Sequence, residues 1–189
     1  MIKGSYFVHE SSYVDEICEI SDGTKIWHFL HIMSNCKIGK KYNIGQNVII
    51  SPDIILEMNV KVQNNVSIFT GVVCEDDLFS KVFTNVINPR SAVNRKNEYL
   101  KTKVCKGATI GANATIVSGH DIGEYVFIGA GSVITKDVKP YALFIGNPTR
   151  QNGWISEFDH KLIFNNEGIA ICPESNERYL IKDNSVNKL

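Results

Sequence analysis

The chain has 189 residues, 43% of them hydrophobic and 21% charged, and its 20 basic and 20 acidic side chains cancel. This length suits one domain with a small appendage, and a net charge of zero gives no electrostatic surface for gripping nucleic acid or an anionic membrane. No apolar stretch approaches the ~20 residues of a membrane span, and five cysteines without a C-x-x-C pair favour reduced thiols over a zinc site or a disulfide framework. We therefore expect a cytoplasmic protein with no metal, nucleic-acid or membrane partner.

A six-residue period runs through most of the chain. Aliphatic residues or cysteine recur at every sixth position from Val14 to Cys74, and the same spacing returns from Val104 to Ile134. A second, mostly apolar series lies four residues after each member of the first. Neither an amphipathic helix nor a plain alternating strand has this period. Short strands separated by tight corners do have it, and Gly, Asn and Asp crowd the intervening positions, where corners require positive φ.

Hexapeptide periodicity is typical of a parallel β-helix, whose inward residues stack into a continuous aliphatic column. The sequence therefore predicts an all-β protein in three parts. Residues 1–13 form an N-terminal lead-in, residues 14–139 form the β-helix, and residues 140–189 form a C-terminal turn and a small β cap. Within the cap we expect short strands at 162–164, 169–171 and 178–181, and frayed ends over the last eight residues.

The period breaks at one internal segment. Residues 88–103 lack the repeat and carry several basic side chains, including Arg90, Arg95 and Lys101. A polar, basic loop ejected from an otherwise regular solenoid indicates a functional role.

Several segments resemble one family. They are Ile26-Trp27-His28-Phe29, Thr84-Asn85-Val86 with Asn88-Pro89-Arg90, Lys106-Gly107-Ala108-Thr109-Ile110-Gly111, and Gly146-Asn147-Pro148. The chain is similar to the nucleotide-sugar N-acetyltransferases of the hexapeptide-repeat class, and most similar to those acting on UDP-2-acetamido-3-amino-2,3-dideoxyglucuronate for bacterial surface polysaccharides (lipopolysaccharide). The resemblance implies a left-handed β-helix, acetyl-CoA as co-substrate, and a homotrimer with active sites between subunits. The segment 78–82 contains fewer residues than the corresponding segment of the family's pattern.

The resemblance and the chemistry of thioester aminolysis together suggest site residues. Asn85 is the expected catalytic residue, positioning the amine while the coenzyme A sulfur takes up the proton; the alternative is a corner residue that bonds its own backbone. His120 falls at an inward-looking position, where it is either a strained core residue or a base. The candidates for substrate binding are Glu75, Asn88, Arg90, Arg95, Tyr99, Lys101 and His28, and those for coenzyme A are Ala112, Ala130, Lys136 and Arg150.

Three other functions remain open from the sequence. The same chemistry could act on a dTDP-3-amino-3,6-dideoxyhexose, in which case no cation is needed for a uronate carboxylate. A γ-type carbonic anhydrase uses the same fold, but the histidine spacings here do not suggest its three zinc ligands. The third is a non-catalytic scaffold, which the ejected basic loop disfavours.

Overall fold

Short strands recur along the chain in the computed structural model, which describes residues 2–3, 6–57, 61–76, 79–80, 82–84, 86, 88 and 91–189. In chain order the strands are β1 (Ile2–Lys3), β2 (Tyr6–Val8), β3 (Tyr13–Val14), β4 (Glu19–Ile20), β5 (Lys25–Ile26), β6 (His31–Ile32), β7 (Lys37–Ile38), β8 (Asn43–Ile44), β9 (Ile49–Ile50), β10 (Ile55–Leu56), β11 (Lys61–Val62), β12 (Ser67–Ile68), β13 (Val72–Cys74), β14 (Phe79–Ser80), β15 (Val82–Phe83), β16 (Thr102–Val104), β17 (Thr109–Ile110), β18 (Thr115–Ile116), β19 (Phe127–Ile128), β20 (Val133–Ile134), β21 (Ala142–Ile145), β22 (Arg150–Trp154), β23 (Ile169–Ile171), β24 (Arg178–Lys182) and β25 (Ser185–Lys188). A 3-10 turn spans Lys96–Glu98.

The strands from β2 to β21 build three parallel walls. Wall A runs β2-β5-β8-β11-β14-β17-β19-β21, and wall C runs β4-β7-β10-β13-β16. Wall B consists of β3-β6-β9-β12, continued beyond β12 by β15-β18-β20. The chain passes from A to B to C and back, so its corners are named AB, BC and CA. This arrangement confirms the expected parallel β-helix.

The core is the aliphatic column that the period predicts. The second residue of most strands is fully buried, as at Ile26, Ile44 and Ile68, and so is the residue four positions later, as at Leu30. Paired strands are 18 residues apart in most coils, for example Lys25 with Asn43. Each buried aliphatic side chain contributes about 1.5–3 kcal/mol of transfer free energy, but only because the coils above and below cover it.

The corners use left-handed backbone conformations. On corner AB these positions carry Asn47, Asn65, Asn113 and Gly131, all residues that tolerate positive φ. Phe29 occupies the same position in an earlier coil, with φ of 58°. A large side chain at positive φ is costly, so Phe29 departs from the rule that its corner otherwise follows.

One corner is shorter than its neighbours. Between β11 and β12, corner AB takes the four residues 63–66, whereas only residue 81 separates β14 from β15. Within the stretch 78–82, which the resemblance marks as short, residues 79–80 form β14 and Val82 begins β15, which pairs in parallel with β18; residues 78 and 81 lie outside the described residues.

The ends of the chain differ from the sequence-based boundaries. The parallel coils begin before residue 14, because Phe7 of β2 already pairs with Lys25. The ejected loop ends before residue 103, because β16 begins at Thr102. In the cap, residues 169–171 and 178–181 form strands as predicted.

Two predictions about the cap are wrong. Residues 162–164 are not a strand: Leu162 is buried while Ile163 is 84% exposed. The last residues are not frayed either, because β25 pairs in antiparallel fashion with β24, and the Lys188 ammonium lies 2.5 Å from Glu177 and 3.0 Å from Glu157. These two ion pairs help to hold a polar strand whose composition alone predicts a frayed end.

No helix within the described residues has the length and apolarity to cross a bilayer.

Candidate active site

The ejected loop leaves and rejoins the solenoid at corner BC. On the outgoing side, Thr84 donates its N–H to the Ile116 carbonyl and accepts the Ser118 N–H at its hydroxyl, both at 3.0 Å. On the returning side, Thr102 donates its N–H to Gly71 and accepts the Gly119 N–H at 3.0 Å. Both ends of the loop are therefore fixed against the same stretch of the next coil. The expected catalytic residue Asn85 and the expected binding residue Arg90 lie outside the described residues.

Arg95 is held within the loop itself. One of its terminal nitrogens donates to both carboxylate oxygens of Glu98, at 2.9 and 2.7 Å. The predicted role for Arg95 was a contact with phosphate or carboxylate, and the structure gives it an internal carboxylate three residues along the chain. Asn88 and Tyr99 are exposed and open to a ligand.

Glu75 is engaged by neighbouring residues of the next coil rather than free for substrate. Its carboxylate lies 2.7 Å from the Lys103 ammonium and accepts the Lys106 N–H at 3.0 Å. The hydrogen bond from Lys103 lowers the pKa of Glu75 below its usual value. Glu75 is therefore a charged link between successive coils, and the prediction of a sugar contact has no support in this geometry.

A cavity of about 430 Å³ lies where the returning loop meets wall C, and Lys101 lines it. Its other lining residues are Val73, Thr102, Lys103, Gly119, Asp121 and Asp137. The two aspartates are largely committed: Asp121 accepts the Lys103 N–H at 2.8 Å, and Asp137 accepts the Asp121 N–H at 3.0 Å. Lys101 is thus placed to offer a cation to an anionic ligand at this mouth.

His120 adjoins that cavity and is not buried. Its side chain is 26% exposed, and Nδ1 lies 3.6 Å from a carboxylate oxygen of Asp137. The expectation of a strained core histidine is therefore wrong. The His120 ring lies at the surface beside the carboxylate of Asp137.

Corner AB carries two of the four expected coenzyme A residues, Ala112 and Ala130. Ala112 and Ala130 are exposed at equivalent positions of successive coils, and the Ala112 carbonyl accepts the Gly131 N–H at 2.8 Å. Neither alanine N–H has a hydrogen-bond partner among the described residues. Arg150 is exposed at the start of β22, just after a turn tied to this corner by the Thr149 hydroxyl. Unpaired amides along an exposed edge suit the amides of a pantetheine arm.

Lys136 is on a different corner from the two alanines. It belongs to corner BC, and its ammonium lies 5.6 Å from the ring centroid of Phe144, which closes the end of the column. The structure therefore groups Ala112, Ala130 and Arg150 on one edge, and it does not bring Lys136 to them.

His28, a predicted binding residue, lies near the N-terminal end of corner AB. It belongs to an aromatic cluster that was not predicted from the sequence. His28 packs on His9 with ring centroids 3.6 Å apart, and Trp27 and Phe29 flank it. The signal was present in the sequence as a Trp-His-Phe run at a corner where Asn or Gly is usual.

The candidate residues fall on two edges separated by wall B. The loop, Lys101 and His120 belong to corner BC, while His28, Ala112 and Ala130 belong to corner AB. A cleft joining both sets needs either an opposing copy of the chain or a ligand that crosses the wall. Within the described part of the chain, no group of three His, Cys, Asp or Glu side chains could hold a metal ion.

Family models match two stretches of the solenoid. The model described as bacterial transferase hexapeptide (six repeats) matches residues 101–136, and the hexapeptide repeat of succinyl-transferase matches residues 35–70.

One curated relative matches nearly end to end. It is dTDP-3-amino-3,6-dideoxy-alpha-D-galactopyranose 3-N-acetyltransferase of Aneurinibacillus thermoaerophilus, 41% identical over 97% of this chain and 95% of that protein. The bifunctional protein GlmU of Thermotoga sp. (strain RQ2) is 32% identical over 79% of this chain, which spans 38% of the length of that protein.

Among solved structures, a single-residue mutant of perosamine N-acetyltransferase from Caulobacter crescentus, in complex with CoA and GDP-perosamine, is 18% identical with a TM-score of 0.47. The likeness covers 78% of this chain and 56% of that one, and at this level it bears on neither substrate nor mechanism.

Proposed function

Because this chain belongs to the hexapeptide-repeat nucleotide-sugar N-acetyltransferases, we propose that it transfers the acetyl group of acetyl-CoA to the 3-amino group of a dTDP-linked 3-amino-3,6-dideoxyhexose. One observation carries the proposal: the 41% identity extends over nearly the whole of both chains, so it includes the loop and the cap as well as the repeats. A repeat fold alone would not distinguish an enzyme from a scaffold.

The substrate named for the curated relative, a dTDP-linked deoxyhexose, supports this assignment over the UDP-linked uronate that the sequence resemblance suggests. At the loop, Arg95 and Lys103 are already paired with Glu98 and Glu75, whereas Lys101 is placed to meet an anionic group of either substrate. The UDP-linked uronate is therefore the second candidate.

The proposed reaction is aminolysis of a thioester. The lone pair of the neutral sugar amine attacks the acetyl carbonyl carbon, a C–N bond forms, the C–S bond breaks, and coenzyme A leaves as thiolate. The proton lost from nitrogen neutralises that sulfur directly or passes through His120, whose ring is exposed enough to exchange it. Asn85 would orient the amine through its amide, which cannot itself act as a base at neutral pH.

We also propose a homotrimer with active sites between subunits, working in the cytoplasm on a bacterial surface-polysaccharide precursor. The split of the candidate residues between corners AB and BC supports shared sites, because an opposing copy can supply the loop that one edge lacks. The five free cysteines suit a reducing compartment.

The decisive experiment measures thiol release from acetyl-CoA with a panel of dTDP- and UDP-linked 3-amino sugars. We expect the highest kcat/KM with a dTDP-3-amino-3,6-dideoxyhexose. A clear preference for the UDP-linked uronate would overturn the substrate assignment, and no turnover with any sugar would overturn the reaction.

Two variants test the roles of individual side chains in that assay. Asn85→Ala should lower kcat at saturating substrate, and unchanged turnover would remove Asn85 from the mechanism. His120→Gln separates the two proton routes in the pH–rate profile: loss of the limb at acidic pH, where a histidine base is protonated, indicates His120, and an unaltered profile indicates the sulfur.

A further inference from the structure

Five aromatic side chains form one contiguous cluster at the N-terminal end of corner AB. Phe7 lies 5.5 Å from Trp27 between ring centroids, and the Trp27 and His28 rings are nearly parallel, at 9°. His9 packs on His28 with ring centroids 3.6 Å apart, and Phe29 extends the cluster outward. We call these five residues the aromatic shelf.

The backbone beneath the shelf is fixed from the coils on both sides. Phe29 donates its N–H to the Ser11 hydroxyl at 3.1 Å, and the Ser12 hydroxyl donates to the Trp27 carbonyl. From the following coil, Asn47 donates its N–H to the His28 carbonyl at 3.1 Å. A surface loop with this many anchors presents its rings in one arrangement, which lowers the entropic cost of binding a flat ligand.

Phe29 combines a left-handed backbone with a ring that stays mostly exposed and lies 6.0 Å from the His28 ring between centroids. Its backbone is left-handed and its side chain is 65% exposed, while the equivalent corner positions of later coils carry Asn47, Asn65 and Gly131. Where a local rule is broken without internal packing in return, an external partner is the expected reason.

His28 points to the same conclusion. Its Nδ1 is enclosed and has no hydrogen-bond partner among the described residues. Stacking on His9, and not a hydrogen bond at Nδ1, therefore holds the ring.

The height of the shelf along the solenoid suits one part of the proposed substrate. From β5 at the shelf to β14 beside the loop there are three coil steps, β5-β8-β11-β14, or about 14 Å at about 4.8 Å per step. In a trimer whose three-fold axis parallels the solenoid, an opposing loop lies at the same height. An extended nucleoside diphosphate spans such a separation, so a sugar at the loop level places its base at the shelf.

We propose that the aromatic shelf stacks the pyrimidine base of the nucleotide-linked sugar, with Trp27 and Phe29 as the contacting rings; this inference rests on the proposed function. The unpaired Ala112 and Ala130 amides lie on the same edge beyond the loop level. The two substrates thus approach from opposite ends of corner AB, and their reacting groups meet between those ends. The exposed Tyr99 of the loop then has no part in holding the base.

The test uses dTDP as the probe for the base and diphosphate, with the intact oligomer. We expect Phe29→Gly and Trp27→Leu each to raise the Kd of dTDP and the KM of the nucleotide sugar by about tenfold, because stacking on an aromatic ring carries that much per base. The KM of acetyl-CoA should stay unchanged. Phe29→Gly also suits the left-handed backbone, so a folding defect is not expected there. Phe158→Ala, which removes an exposed ring from the cap, is the matched control.

A spectroscopic readout separates contact from indirect effects. The chain has two tryptophans, so in Trp154→Phe protein Trp27 is the sole tryptophan fluorophore, and dTDP should quench it. If wild-type protein acetylates the sugar while both shelf variants keep Kd and KM within about twofold, and Trp27 emission does not respond, the shelf assignment is overturned and the reaction stands. If Tyr99→Ala raises the Kd instead, the loop holds the base. If no sugar is acetylated but dTDP binding still depends on the shelf, the reaction fails and the shelf stands.

Discussion

Aromatic residues occupy left-handed corner positions at two places in this solenoid, with opposite surroundings. On corner CA, Tyr125 and Tyr141 stack on each other at 5.5 Å, and Tyr141 meets Tyr179 of the cap edge to face. On corner AB, Phe29 has the same backbone conformation but is mostly exposed. Packing offsets the backbone strain of the tyrosines, whereas Phe29 leaves 65% of its side chain exposed.

The difference teaches how to separate structural from functional strain in a repeat protein. Each left-handed position of a bulky residue costs about 1–2 kcal/mol. On corner CA this cost is balanced by a column of rings that fastens the cap to the last coils. On corner AB the cost remains, which is the pattern expected of a binding surface.

The largest effect should come from breaking the tyrosine column at its end. Tyr179 is fully buried, and its hydroxyl accepts the Glu157 N–H at 3.2 Å. Tyr179→Ala should lower the free energy of unfolding by about 3–5 kcal/mol, because it leaves a large cavity between cap and solenoid. Urea unfolding followed by circular dichroism checks this. A loss below about 1 kcal/mol would mean that the column does not fasten the cap.

A smaller effect should follow from crowding the column at its base. A Cβ at Gly107 would lie 2.4 Å from the Tyr125 ring, so Gly107→Ala should displace that ring and lower the unfolding free energy by about 1–3 kcal/mol. Gly131→Ala is the matched control, since its φ of 69° is close to the 71° of Gly107 and nothing lies within 4 Å of its Cβ. Equal losses in the two variants would show that backbone strain alone is responsible.

The ion pairs that support the cap should make its stability depend on pH. Hydrogen bonds to Glu177 and Glu157 raise the pKa of Lys188, and Lys188 lowers the pKa of Glu177. The contribution of Glu177 is present above its unfolded pKa and is lost as pH falls through the lowered folded value. The contribution of Lys188 is present below its unfolded pKa and is lost as pH rises through the raised folded value.

Lys188→Met should therefore lower the melting temperature by a few degrees at neutral pH, and the difference from wild type should shrink at both extremes of pH. Differential scanning calorimetry across pH tests this. A difference that is constant with pH would assign the effect to packing of the lysine stem.

The smallest effect on stability should come from the unpaired ring on corner AB. Phe29→Gly relieves the left-handed strain and removes a mostly exposed side chain, so the free energy of unfolding should stay within about 1 kcal/mol of wild type or rise. A loss of about 3 kcal/mol or more would place Phe29 among the packed aromatics and erase the contrast with the tyrosines.

Sequence reasoning reached the solenoid because its evidence is local and repeated. A buried Ile44 and a corner Asn47 each follow from position within a hexad, and every coil repeats the test. The cap has no such repetition. From its composition strand β25 resembles a polar tail, but Lys188 pairs with Glu177 beside the neighbouring strand and with Glu157, which is 31 residues away in the chain.

The site was only partly accessible from the sequence, for a related reason. Residue type suggested Arg95 and Glu75 as substrate-binding residues. Whether such a charged side chain is free to bind substrate depends on the residues that lie next to it in the fold. The Arg95–Glu98 pair has a spacing of three and could have been anticipated, whereas the Glu75–Lys103 pair crosses the ejected loop. The aromatic shelf joins Phe7 and His9 to Trp27 only through the coil register.

The regular coil spacing fixes the distance between the aromatic shelf and the loop in units of one coil. Since paired strands such as Lys25 and Asn43 are 18 residues apart, duplicating one 18-residue coil between shelf and loop would lengthen that distance by about 4.8 Å without changing either site. The length of the nucleotide carrier that fits would then change in steps of one coil. Point mutations would alter affinity at either site but not the distance between them.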